Sequence, residues 1–255
     1  MKKEEFLGLL RNSLDEYSLL KLYNKMQLAI NKGITVFTDE FYTPDVWMVL
    51  EEKFKNIVKV DSYGIFLDSD RRIIAFNKEE YNEFPISLVE IKCNTKFSKL
   101  AHKDYLGALM SLGINRNKMG EVILSCDRAF VAVSLDMVDF IINNLDRVKS
   151  LSCKCTVIDD FTNLPTINYE EKLVISTSKR LDSIVSAISN ISRSKACDYI
   201  ENQRVLVNYV MIREKSYCIN ENVKITIKGI GKFKIGEIFG TSKSGRLKIK
   251  IYKYT

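Results

Sequence analysis

The chain has 255 residues, 46% of them hydrophobic and 28% charged, and a formal net charge of +7. That is globular composition with enough length for a sizeable core, and it excludes collagen-like, fibrous and disordered classes. One histidine excludes multi-histidine metal centres and allows a single imidazole-based acid–base step. The charge is uneven. Residues 172–255 hold 17 basic and 6 acidic residues (+11), whereas residues 1–171 hold 22 and 26 (−4). A basic terminal module on a mildly acidic body points to a polyanionic partner, most simply a nucleic acid.

Residues 4–31 read as one helix that stops at Asn31-Lys32-Gly33, and 34–37 read as a short strand. Thr43-Pro44 opens a second helix, with Val46, Val49, Leu50 and Phe54 as its buried stripe and Trp47 packed nearby. Extended segments are expected at 58–60 and 73–76, which makes 1–80 an N-terminal α/β domain. Next come a strand over 87–93, a helix over 102–112 closed by Gly113, strands over 121–125 and 129–134, a helix over 137–148 and a strand over 151–158. This β-α-β-β-α-β order over 81–160 predicts a ferredoxin-like or RNA-recognition-motif-like domain, without that motif's signature aromatic sequence. Residues 161–174 lack periodicity and are expected to be a linker.

Helices are then expected over 178–189, with Leu181, Ile184, Val185 and Ile188 at helical spacing, and from the N-cap Ser192 through Ile200. The second begins Arg193-Ser194-Lys195, so two cations and exposed backbone N–H groups meet where a phosphate would be favoured. Strands around 204–208, 223–228 and 246–251 alternate apolar and basic residues, which suits a phosphate-tracking surface.

The ordered set Arg180-Leu181-Asp182, Ser192-Arg193-Ser194-Lys195-Ala196 and Val205-Leu206-Val207-Asn208 resembles the S4 RNA-binding domain. Lys228-Gly229-Ile230-Gly231-Lys232 with Gly240-Thr241-Ser242-Lys243 is similar to the C-terminal part of the YlmH family. His102 through Met110 with Gly113, Arg116, Lys118 and Gly120-Glu121 is similar to that family's central motif, and Phe41-Tyr42-Thr43-Pro44 to its N-terminal entry. The chain departs from the family pattern over 63–72, at Gln203 and at Asn222-Val223, the last two standing where turn glycines are common.

The resemblance implies an α+β protein with the S4 domain at 175–255. It also implies a non-enzymatic RNA binder on ribosomal RNA of the large ribosomal subunit, near peptidyl-tRNA, in ribosome-associated quality control. Expected RNA contacts are Arg180, Ser192, Arg193, Ser194, Lys195, Arg204, Asn208, Lys215, Lys228, Lys232, Lys243 and Arg246. His102, Lys103, Arg116 and Lys118 form a candidate second surface. An alternative is an RNA-modifying enzyme, or an assembly factor, carried to ribosomal RNA by its S4 domain. A catalytic reading would pair His102 with Asp104 or Glu121; the expectation is no catalytic residue, no metal and no cofactor. Gly240 and Gly245 echo a phosphate loop, but Arg246-Leu247 and a strand follow them. Six scattered cysteines, with Cys153 and Cys155 sharing a strand face, and no run of about 18 apolar residues predict a reduced, cytoplasmic protein away from membranes, and a monomer is expected.

Overall fold

The computed structural model describes residues 3–66, 68–94, 100–162, 164–242 and 244–254. The chain forms two compact units, Met1–Thr166 and Ile167–Thr255. Residues 1–80 and 81–160, expected as two domains, thus share one unit. The Phe41 N–H donates to the Asn117 carbonyl at 2.7 Å, and the Phe41 ring lies so near Gly120 that a Cβ there would meet it at 2.8 Å.

The helix expected over 4–31 is two, α1 (Lys3–Leu10) and α2 (Glu16–Lys32). Asp15 restarts it: its carboxylate accepts the Ser18 N–H at 3.0 Å and the Ser18 hydroxyl at 2.8 Å. Hydrophobic periodicity runs across such a break, so the cap is the only local sign. Gly33 ends α2 with φ 62°, a left-handed conformation suited to glycine. Strand β1 (Val36–Phe37) precedes α3 (Pro44–Lys53), where Pro44 supplies a helical φ and the Thr43 hydroxyl makes no capping bond. Strands β2 (Val60–Tyr63) and β3 (Ile73–Phe76) complete an antiparallel sheet of order β1-β3-β2. Phe6, Leu10, Leu22, Met26, Leu50, Phe54, Ile74 and Phe76 fill the core beneath it.

Then follow β4 (Ile86–Cys93), α4 (His102–Ser111), β5 (Met119–Ser125), β6 (Arg128–Ser134), α5 (Val138–Asn144), β7 (Arg147–Val148) and β8 (Leu151–Ile158). They make an antiparallel sheet of order β5-β6-β4-β8-β7. The helix expected over 137–148 is shorter. Asn143 and Asn144 are weak helix formers, and the chain leaves the helix at Leu145 to make a two-residue strand. Val148 keeps helical spacing from Leu145 yet fills the core from a strand.

The expected linker 161–174 is corrected at its second half, since β9 (Tyr169–Ser176) pairs over its whole length with the last strand. Among its residues only Ser176 is buried, so no apolar alternation marks it in the sequence. The second unit continues with α6 (Leu181–Ser189), α7 (Arg193–Glu201), β10 (Val205–Val207), β11 (Val210–Met211), β12 (Lys224–Ile227), β13 (Gly231–Thr241) and β14 (Leu247–Tyr254). Its antiparallel sheet has the order β11-β10-β12-β13-β14-β9. Leu181, Ile184 and Val185 of α6 and Ala196 and Ile200 of α7 pack on one face of it. Gln203 and Asn222 hold φ 55° and 63°, so both do a glycine's work with a side chain attached. Asparagine tolerates this, whereas for glutamine it costs on the order of 1 kcal/mol.

Candidate nucleic-acid interface

Asp182 organises the two helix starts of the second unit. Backbone bonds first fix its surroundings: the Leu181 N–H donates to the Tyr217 carbonyl at 2.8 Å, and the Asp182 N–H donates to that of Lys215 at 3.1 Å. The side chain is 4% exposed. Oδ1 accepts the Ser183 N–H at 2.8 Å and Arg180 Nε at 3.2 Å. Oδ2 accepts Arg180 Nη2 at 3.0 Å, Arg193 Nη2 at 2.9 Å and Arg193 Nε at 3.2 Å. One carboxylate therefore holds two guanidinium forks, from the N-cap of α6 and the first residue of α7. Each fork gives two of its five N–H donors to Asp182 and keeps three. Both arginine side chains stay open, at 43% and 55% exposure. Burial alone would raise the Asp182 pKa; the bonds from Arg180, Arg193 and the Ser183 N–H outweigh it and hold the group below the ordinary carboxylate range. The cluster is ionised at neutral pH with one net positive charge.

Ser192 caps α7 by accepting the Lys195 N–H at 3.2 Å. Ser194 and Lys195 are exposed beside it, and no ion pair of Lys195 occurs among the described residues. Lys215 is paired with Glu201. Arg204 lies 4.0 Å over the Tyr199 ring and donates to the Lys228 carbonyl at 3.1 Å, which fixes its guanidinium as a flat shelf. Lys228 and Arg246 are exposed. Lys232 Nζ sits 4.5 Å from the Tyr254 ring centre and 5.0 Å from that of Tyr209. Asn208 Oδ1 accepts the Lys224 N–H at 2.8 Å, and with Tyr209 Asn208 forms a turn of two left-handed residues, φ 46° and 70°. Lys243 lies outside the described residues.

The candidate second surface lies in the first unit. His102 opens α4 and is half-buried, and Lys103 is exposed. Arg116 donates to the Met119 carbonyl, and Lys118 pairs with Asp136 at 2.7 Å. Lys103 and Asp104 join Asn144, Arg147 and Lys149 along a groove of about 510 Å³. The two carboxylates considered as partners of His102 have other work. Asp104 accepts the Ala101 N–H at 2.8 Å and pairs with Lys149 at 2.9 Å; that backbone bond and then Lys149 hold its pKa below the usual value. Glu121 Oε1 accepts the N–H groups of Asp70 and Arg71 at 3.2 and 3.3 Å. It thereby anchors the segment where the chain departs from the family pattern, which Trp47 also holds by donating to the Asp70 carbonyl at 2.9 Å.

Cys153 and Cys155 share a face, each within 3.6 Å of the Leu145 carbonyl. Burial pushes their thiols up to about 12 and about 11, so both stay protonated at neutral pH. Among the described residues no group of three or more His, Cys, Asp or Glu side chains is placed to hold a metal ion. No helix there is long and apolar enough to cross a membrane. Asp182 was not among the residues expected at the interface. Its signal lay in the Arg180-Leu181-Asp182 triplet, but its partner Arg193 is eleven positions away.

Residues 79–162, the stretch holding β4 to β8, match the family model described as "Putative RNA-binding domain in YlmH". Over 171 residues the chain is 28% identical to the ribosome-associated protein quality control protein P2 of Bacillus subtilis (strain 168). That match covers 67% of this chain and 66% of the relative, so it spans slightly less than two thirds of the relative's length. A solved structure, the cell division protein ylmH from Streptococcus pneumoniae, is 20% identical at a TM-score of 0.45, covering 57% of this chain and 93% of that one.

Proposed function

We propose, with the resemblance to the YlmH family as premise, that this is a non-enzymatic RNA-binding protein acting in ribosome-associated quality control. It docks on structured ribosomal RNA of the large subunit, beside peptidyl-tRNA, as a cytoplasmic monomer. The observation that carries the reading is the Asp182-centred pair of arginines with Lys195, on a unit that holds 17 basic and 8 acidic residues (+9). Six remaining guanidinium donors and the Lys195 ammonium, which has no ion pair among the described residues, suit phosphate oxygens at two helix starts. The helical hairpin on a sheet is read as an S4-type module, and the middle block, matched by the RNA-binding family model, as an RRM-like second contact. Docking works by charge and shape, because side chains do not read bases in the deep groove of A-form RNA. The two carboxylates nearest in role to a His102 partner are engaged elsewhere, which supports a positional rather than a chemical task.

The test is ribosome co-sedimentation of the full chain. The double change Arg193→Ala and Lys195→Ala should lower RNA affinity about 30-fold with the fold intact, and abolish co-sedimentation. With about five phosphates neutralised, log K against log salt should fall with a slope of about −4. Unchanged co-sedimentation, or a flat salt dependence, would refute the docking site. A mass change in ribosomal RNA on incubation would refute the non-enzymatic reading.

A further inference from the structure

The six-stranded sheet has two faces of different chemistry. One carries Val205, Val207, Ile225, Ile227, Phe233, Ile235, Ile249 and Ile251, all buried with α6 and α7. Strand alternation puts the intervening residues on the other face. There β12 presents Lys224, β13 presents Lys232 and Lys234, and β14 presents Lys248 and Lys250, with Lys228 exposed just beyond β12. The register sets Lys224 directly opposite Lys234. Among the described residues two carboxylates act on Lys250: Glu171 of β9, paired with it at 3.0 Å, and Glu237 of β13.

Aromatic rings lie among the lysines. Tyr169 of β9 meets Tyr254 edge-on at 4.9 Å and Tyr252 at 6.3 Å. Lys232 sits over Tyr254 and Tyr209. Tyr252 lies over Gly236, where a Cβ would meet the ring at 2.8 Å. Tyr169 is 42% exposed, and Leu173 and Ile175 continue an open apolar floor along β9.

We propose that this lysine–tyrosine face is a second RNA surface, separate from the Asp182 cluster, and that it takes single-stranded RNA. Lysines neutralise the backbone while unstacked bases lie on the tyrosines; a duplex keeps its bases stacked inside and offers this face only its phosphates. The inference rests on the reading that the C-terminal unit meets RNA; it shares Lys228 and Lys232 with the expected docking contacts, adds residues outside them, and takes a different RNA form.

The test is anisotropy titration of the full chain with a labelled 12-nucleotide oligo(U) and, separately, an RNA hairpin. The double change Lys234→Gln and Lys248→Gln should weaken oligo(U) binding about five-fold and make its log–log salt slope shallower by about 1.4, from roughly 0.7 per phosphate on a single strand. Hairpin affinity should stay within about two-fold. Tyr169→Ala should weaken oligo(U) about five-fold with the slope unchanged, as expected for stacking rather than charge. Circular dichroism melting checks that each variant is folded. Wild-type chain that ignores oligo(U), a double variant that binds it normally, or equal losses on both RNAs would overturn the proposal. Binding to phosphatidylserine vesicles in place of oligo(U) would overturn it too. Wild-type chain that binds oligo(U) but not the hairpin would overturn the hairpin docking site and leave this face standing.

Discussion

In the N-terminal unit cations meet carboxylates in closed ion pairs and small clusters: Lys118 with Asp136 at 2.7 Å, Lys149 with Asp104 at 2.9 Å, Arg128 with Glu90 at 2.8 Å, and Lys21 and Lys25 with Asp39 and Glu40. In the C-terminal unit one buried carboxylate, Asp182, holds two arginines, and Lys224 of β12 faces Lys234 of β13. The difference in composition is modest, −2 against +9. The difference in placement is large. In the first unit carboxylates fasten the chain to itself. In the second a carboxylate aims cations outward without cancelling them. Net charge is thus a weaker guide to a polyanion site than whether its cations have been neutralised.

The largest expected effect that separates the two units is on stability. Ile184 is buried in the second core only, and Ile184→Ala should cost about 2–4 kcal/mol in that unit. Hydrogen exchange should show β10 to β14 losing protection while β4 to β8 keep theirs; equal loss in both would merge the units.

A sharper contrast comes from Asp182→Asn. It removes a negative charge from a surface meant for a polyanion, so bulk electrostatics alone would have RNA bind more tightly. Loss of the two forks should instead weaken binding about five-fold and stability by about 1–2 kcal/mol, because the buried acceptor is what orders both arginines. Asp182→Glu, keeping the charge, should recover part of the affinity. Tighter RNA binding by the Asn variant would discard the positioning role.

Acid should reach the same cluster. The folded Asp182 pKa lies below its ordinary 3.8, so the stability it contributes is fully present above that value and disappears as pH falls through the lower folded value. RNA affinity should therefore be insensitive to Asp182 between pH 5 and 8. A wild-type-minus-Asn difference that changed across that window would contradict the ionised cluster.

The smallest effect is expected in the first unit. Lys118→Ala breaks a surface pair and should cost no more than about 0.5 kcal/mol. RNA affinity should stay within about two-fold, since Asp136 already occupies that ammonium. A ten-fold loss would show that pairing does not withdraw a cation from RNA, and would restore Lys118 to the interface.

Several elements were legible because one local rule decides each. Gly33 ends α2, Ser192 caps α7, and Ile249 and Ile251 alternate with Lys248 and Lys250 on β14. The failures share a cause in non-local partners. β9 carries four polar or charged residues in its first four positions and is a strand because β14 is there to pair with it. β13 is interrupted by Gly236 and Gly240, which weaken any strand pattern, yet Gly236 is required where Tyr252 lies across it. Arg180 and Arg193 were expected as phosphate contacts, but their shared carboxylate depends on two helix starts meeting in space. The turn that Asn208 fastens to Lys224 likewise depends on a partner sixteen positions away.

By itself the amino-acid order determined the surplus of charge, its confinement to the last third of the chain, and the caps and alternations of individual elements. All of these depend on residues within a few positions of one another. Only the tertiary structure decided which cations are neutralised and which stay open, that one carboxylate serves two arginines, and that lysines and tyrosines from β9, β12, β13 and β14 share a face. Those outcomes depend on strand register and on which groups leave water together, and residues far apart in sequence set both.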